Sequence, residues 1–180
     1  MSERQAHGSL RSALWRLRGA GGDVVVADQQ SLRLGGDVVV DLREAEVLAR
    51  RLLDRSRPPR PMDVDLAAVD LLSADLLPDW YDDWTLLEVE SWRQLRLHAL
   101  EALCGRLADA GRYGEALVAG LAAVRAEPLR ESGHTAVIRV HLAEGNRSEA
   151  SRQYEQFRRL LHAELGLEPT PRLEALVASS

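Results

Sequence analysis

Three observations predict a mainly α-helical chain that ends in repeated helical hairpins. Gly111-Arg-Tyr-Gly-Glu-Ala116 returns 34 residues later as Gly145-Asn-Arg-Ser-Glu-Ala150, and about 34 residues is the period of tetratricopeptide-like hairpins. Beyond residue 61 every segment between glycine and proline breaks has helical apolar spacing. The only convincing β pattern lies within residues 24–41. The expected architecture is a small helix-and-ribbon head followed by a helical-repeat body.

Residues 7–18 read as one helix. Leu10, Leu14 and Leu17 share a face, Ala13 and Trp15 flank it, and Arg4, Arg11, Arg16 and Arg18 lie off it. Gly19-Ala-Gly-Gly22 is the expected stop. The runs 24–27, 31–34 and 38–41 are β-branched or alternating, and Asp28-Gln-Gln30 and Gly35-Gly-Asp37 separate them. They predict a three-run antiparallel ribbon. Residues 42–53 form an amphipathic helix with Ala45, Leu48, Ala49 and Leu52 inward.

Arg55-Ser-Arg-Pro-Pro-Arg-Pro61 breaks that helix, because prolines remove donors and forbid helical backbone before them. It reads as a linker, which gives a head at 1–42, a helix and linker at 43–61 and a helical domain at 62–180. A short helix is expected at 64–72, then an aromatic-acidic turn, Leu76-Leu-Pro-Asp-Trp-Tyr-Asp-Asp-Trp84, entering a helix at 85–110. Helices at 113–126, 130–144 and 147–165 follow, with Gly111 and Gly145 as stops. Thr170 is the expected N-cap, with Pro171 at the first position, of a last helix reaching about 177.

Within the hairpins, Leu103 and Leu107 are expected to meet Leu117, Leu121 and Val124, with Ala116 allowing close approach. Val137, Val140, Ala150, Tyr154 and Phe157 take the same roles in the next copy. Stacked hairpins make binding surfaces and seldom catalytic ones.

All 23 basic residues are arginine. The net charge of -5 is unevenly spread. Residues 1–60 hold 11 Arg against 8 acids, and residues 61–92 hold nine acids and no base. A basic head suits nucleic acid. The acidic run is either a solvated face or a docking strip for a basic partner, and Trp80, Tyr81 and Trp84 are expected to pack part of it on the body.

No phosphate-binding glycine loop, catalytic triad or calcium loop can be assembled. Asp63-Val-Asp65 lacks the glycine and glutamate a calcium loop needs. His134 and His141 lack a third ligand. Cys104, alone at core spacing, reads as a buried apolar residue. No enzyme activity, cofactor or metal is expected. No apolar run is long enough to span a membrane, which suggests a cytoplasmic protein.

The 76–84 turn, Gly111–Leu117, Glu127-Pro-Leu-Arg-Glu-Ser132, Leu142-Ala-Glu-Gly-Asn-Arg147, Tyr154-Glu-Gln-Phe-Arg158 and Glu164-Leu-Gly-Leu-Glu-Pro-Thr-Pro171 occur in this order. Together they closely resemble the bacterial transcriptional activator domain of the Streptomyces antibiotic regulatory protein family, over about 60–178. In that family an OmpR-type winged helix precedes the repeat domain. Residues 8–41 are similar to its back half, with the 8–18 helix as recognition helix and the ribbon as wing.

The resemblance implies a transcriptional activator of secondary-metabolite or similar genes. Arg4, Ser9, Arg11, Ser12, Arg16 and Arg18 would contact double-stranded DNA in the major groove. The repeat domain would contact RNA polymerase or another regulator, and a homodimer on tandem half-sites is an option it leaves open. The family's first strands and two scaffold helices have no counterpart here. A late-starting gene model, a truncated protein and a completing partner are equally open explanations. An adaptor that no longer binds DNA by itself is the alternative reading.

Overall fold

The computed structural model describes residues 3–21, 24–28 and 31–178, with side chains for 5–18, 24–28 and 31–178. The chain is mainly helical and divides into two compact units, Met1–Val40 and Asp41–Ser180.

In the first unit, α1 spans Glu3–Gly21. The helix thus runs through most of the expected glycine stop; Gly22 lies outside the described residues. Strands β1 (Val25–Ala27) and β2 (Leu32–Leu34) pair antiparallel, with Val26 opposite Arg33. The Asp28 carboxylate accepts from the Ser31 N–H at 2.7 Å and closes the turn. The expected third run does not join the ribbon. The Val38 N–H is spent on a turn bond to the Gly35 carbonyl at 3.1 Å, residues 38–40 are irregular, and Asp41 already opens the next helix.

The second unit contains α2 (Asp41–Leu53), a single 3-10 turn (Pro61–Asp63), α3 (Leu66–Ser73), α4 (Asp83–Asp109), α5 (Tyr113–Ala126), α6 (Glu131–Glu144), α7 (Arg147–Leu165) and α8 (Pro171–Ala178). Ala45, Leu48, Ala49 and Leu52 of α2 are all buried, as their spacing predicts. They pack in one core with α3, α4 and α5. The compact units therefore divide at 40/41 rather than across the proline-rich stretch. That stretch is bridged: Arg51 reaches over it to the buried Asp63 with bonds of 2.6 and 3.0 Å.

Gly111, Gly145 and Gly166 adopt positive φ where α4, α6 and α7 stop. A left-handed residue there frees the chain to reverse without a Cβ clash. The face of α5 differs from expectation. Leu121 is exposed and Leu117 and Val124 are only half-buried, while Ala116, Ala119, Gly120, Ala122 and Ala123 are buried. Small side chains let α5 press on α4 and α6; a Cβ on Gly120 would sit 2.8 Å from Val137 Cγ2 and 3.0 Å from Cys104 Sγ. Cys104 is indeed buried, and burial pushes its thiol up to about 12. Val137, Val140, Ala150 and Phe157 are buried as expected, and Tyr154 is half-buried.

Trp80, Tyr81 and Trp84 do not pack on the body. They are 51 %, 84 % and 63 % exposed. Trp92 takes the buried aromatic role instead, its indole N–H donating to the Ala74 carbonyl at 3.0 Å. One turn later, the buried Arg96 donates to the Ser73 carbonyl at 3.1 Å and pairs with Asp75. Together they pin the α3–α4 connection onto α4.

Two buried titratable groups contribute to the acid sensitivity of this unit. His134 stacks on Phe157 and bonds the Pro128 carbonyl at 2.9 Å and the Gln153 amide at 2.9 Å. These partners suit a neutral ring protonated on Nε2. Burial holds its pKa below the usual 6.5. As pH falls below that value, the unfolded chain gains a proton that the folded chain refuses, so stability drops. The Arg51 hydrogen bonds hold Asp63 below its usual 3.8, so a second loss begins when pH falls through that range. Urea unfolding across pH 8 to 3 is expected to show both declines, and His134→Gln is expected to flatten the first. A flat curve between pH 7 and 5 for the wild type would contradict the buried neutral histidine.

Candidate functional site

Two surfaces are candidates for a binding role, one in each unit. The first is α1 in the Met1–Val40 unit. The described side chains at Ser9, Arg11, Ser12, Arg16 and Arg18 are all exposed; Arg4 lies on the helix, but its side chain is outside the described residues. At 3.6 residues per turn these groups fall on two faces. Arg11 and Arg18 share one face with Trp15 between them. Ser9, Ser12 and Arg16 share a nearly opposite one. The Ser12 hydroxyl donates to the Gly8 carbonyl at 3.1 Å, and Arg16 Nε donates to the Ser12 carbonyl at 3.3 Å. Those two side chains are thus partly committed to their own helix.

The helix formed as its apolar spacing predicts, yet Leu10 and Leu17 are exposed and Leu14 is half-buried. The arginines present cationic, multi-donor groups that match phosphate oxygens and guanine edges.

The second surface is a groove of about 1300 Å³ in the helical unit, between the end of α2, α4, α6 and α8. Ala102, Gly105, Ala136, Val140 and Ala143 give it a smooth floor, and Leu173 and Leu176 form one lip. Arg55, Arg139, Arg172 and Asp109 line it, and their side chains make no hydrogen bond or ion pair with a described residue.

The lip is held by residues whose roles spacing does not reveal. The Glu131 carboxylate accepts from the Thr170 N–H at 2.8 Å and from the Thr170 hydroxyl. The Thr170 side chain is therefore spent on α6 rather than capping α8, as its position had suggested; its carbonyl accepts the first N–H bonds of α8. Arg130 pairs with Glu101 at 2.8 Å and Ser132 donates to the same carboxylate at 2.6 Å. Arg93 bonds Glu127 at 2.5 Å. Every ionisable or hydroxyl group of Glu127-Pro-Leu-Arg-Glu-Ser132 thus ties the α5–α6 turn to α4 or to the chain before α8.

Other arginines close helix ends. Arg106 donates to the Leu52 and Asp54 carbonyls at 3.0 and 2.7 Å, covering acceptors that α2 leaves open. Arg112 reaches the Val64 carbonyl at 2.7 Å and pairs with Glu115. Asp65 caps α3 by accepting from the Ala68 N–H at 3.0 Å. Asp63 and Asp65, the pair that began like a calcium loop, are therefore engaged in an ion pair and a cap. No group of three or more metal-ligating side chains occurs among the described residues, and none of the described helices is long and apolar enough to cross a membrane.

Residues 40–179 match the family model described as bacterial transcriptional activator domain. A search of curated proteins finds no match.

Proposed function

The chain belongs to the bacterial transcriptional activator domain family, and on that premise we propose that it regulates transcription by binding double-stranded DNA through α1. The observation that carries this reading is an exposed helix bearing four arginines and one acid, Glu3, beside a short antiparallel ribbon. That combination fits the recognition helix and wing of a winged helix, with the helix entering the major groove and the arginines meeting phosphates and base edges. The target genes would be secondary-metabolite or similar genes, and the outcome activation. The groove of the helical unit would receive RNA polymerase or another regulator.

DNA retention by the full chain across a salt series tests the first part. Retention is expected at low salt and should fall steeply as salt rises. Arg11→Ala with Arg16→Ala is expected to weaken it about tenfold or more and to flatten the salt slope by about 1 for each phosphate no longer neutralised. Retention unchanged by the double variant would sink the role of α1.

The exposure of Leu10 and Leu17 favours a second reading, an adaptor of the same family without DNA binding of its own. A recognition helix is held at its angle by scaffold that covers such leucines, and each half-uncovered one forgoes part of the roughly 1.5–3 kcal/mol that full burial supplies. This reading requires no DNA shift at low salt together with a defined complex on co-purification.

A further inference from the structure

The acidic run is not a uniform solvated strip. Asp63 is taken by Arg51, Asp75 by Arg96 and Glu90 by Arg93, and Asp65 is taken by the cap of α3. Asp79, Asp82, Asp83 and Glu88 have no such partner among the described residues and are exposed. They surround the exposed aromatic side chains at the entrance of α4. Trp80 and Trp84 hold each other edge to face at 5.9 Å, and Leu87, one turn on, is 79 % exposed. Together with Tyr81, these large side chains are framed by four acids and form an apolar patch with a strongly negative rim.

Its complement is present in the same chain. Trp15 of α1 is 77 % exposed and lies between Arg11 and Arg18 on one helix face. The stretch 55–60 also carries three arginines but no large apolar side chain, whereas α1 offers the patch both cationic charge and an exposed tryptophan. Arginine over a tryptophan face adds cation–π attraction to the ion pairing.

We propose that the Trp80–Trp84–Leu87 patch docks the Arg11–Trp15–Arg18 face of α1 from a second copy of the chain. Reciprocal exchange of the two helices closes a two-fold dimer with two identical interfaces. This dimer does not depend on the DNA reading. If that reading also holds, docking and DNA compete for the same helix.

The test is sedimentation velocity of the full chain over a concentration series. A monomer–dimer equilibrium is expected at low salt, weakened about tenfold or more in 1 M salt, where screening reaches to about 3 Å. Trp80→Ala with Trp84→Ala is expected to abolish it. Asp82→Arg with Asp83→Arg, and separately Arg11→Asp with Arg18→Asp, are each expected to give monomers. Mixing these two charge-reversed proteins is expected to restore the dimer, because each then offers the opposite charge to the other. Restoration on mixing cannot arise from misfolding of either variant. A wild type that stays monomeric at every concentration, a dimer indifferent to the tryptophan pair, or mixed variants that stay monomeric would each overturn the proposal. A monomeric wild type whose patch instead captured a different basic protein would do the same.

Discussion

Phe157→Ala is expected to cost about 3–5 kcal/mol of unfolding free energy, the largest single effect in the helical unit. Phe157 is completely buried and stacks on the His134 ring, with centroids 4.2 Å apart. It sits in a small cluster with Ile138, Ala150, Leu161 and Leu173. So small a cluster has few neighbours able to collapse into the vacated space, and the cavity persists. The loss should also reach the groove, because Leu173 is shared between this cluster and the lip. Urea unfolding measures the cost, and amide exchange on α8 should show faster opening. Leu167→Ala, at an exposed position, is the control and should move stability by less than about 0.5 kcal/mol. Equal effects at the two positions would refute this account of the second core.

The second large effect is expected from Gly120→Val. The first added carbon alone would lie 2.8 Å from Val137 Cγ2 and 3.0 Å from Cys104 Sγ. Both neighbours are buried, so α5 must move away from α4 and α6. Overpacking of this kind costs about 1–3 kcal/mol, and the shift would widen the floor on which the groove rests. Gly105, on the exposed side of α4, offers the opposite case. A Cβ added there would meet nothing within 4 Å, so Gly105→Ala is expected to raise stability by roughly 0.5–1 kcal/mol through helix propensity. Thermal unfolding of the two variants should shift in opposite directions. A Gly120→Val protein as stable as wild type would contradict the close approach of these helices.

Helix boundaries were the most legible feature, because local chemistry sets them. Gly111, Gly145 and Gly166 mark the stops of α4, α6 and α7, and Pro171 opens α8. The inward face of α2 was legible too, since one buried stripe on a short helix leaves a clear 3.6-residue period. The face of α5 was misleading. Its leucines suggested the core, but two neighbouring helices crowd it, and only alanine and glycine fit between them. The tryptophans near residue 80 misled for the reverse reason. Aromatic side chains usually seek cover, yet Trp92 filled the available site and left the others outside.

The candidate surfaces were legible only as residue types. The sequence showed arginines on the first helix, but helical geometry separates Arg11 and Arg18 from Arg16. The groove had no signal of its own, because α2, α4, α6 and α8 contribute to it from residues more than a hundred positions apart. The arginines of the helical unit carry no pairing signal in the sequence. Arg106, Arg112 and Arg130 hold partners 29 to 54 residues away, and no local pattern encodes such pairings.

By itself, the sequence determined the helical class, the hairpin period, the helix stops and the family motifs, since each depends on residues within a turn or two of one another. Only the tertiary structure decided which small residues meet, which arginines close helix ends and which acids are left without partners around Trp80 and Trp84. Those outcomes depend on how much space and how many unsatisfied backbone groups remain after the helices pack, and that is a property of the assembled unit rather than of any segment.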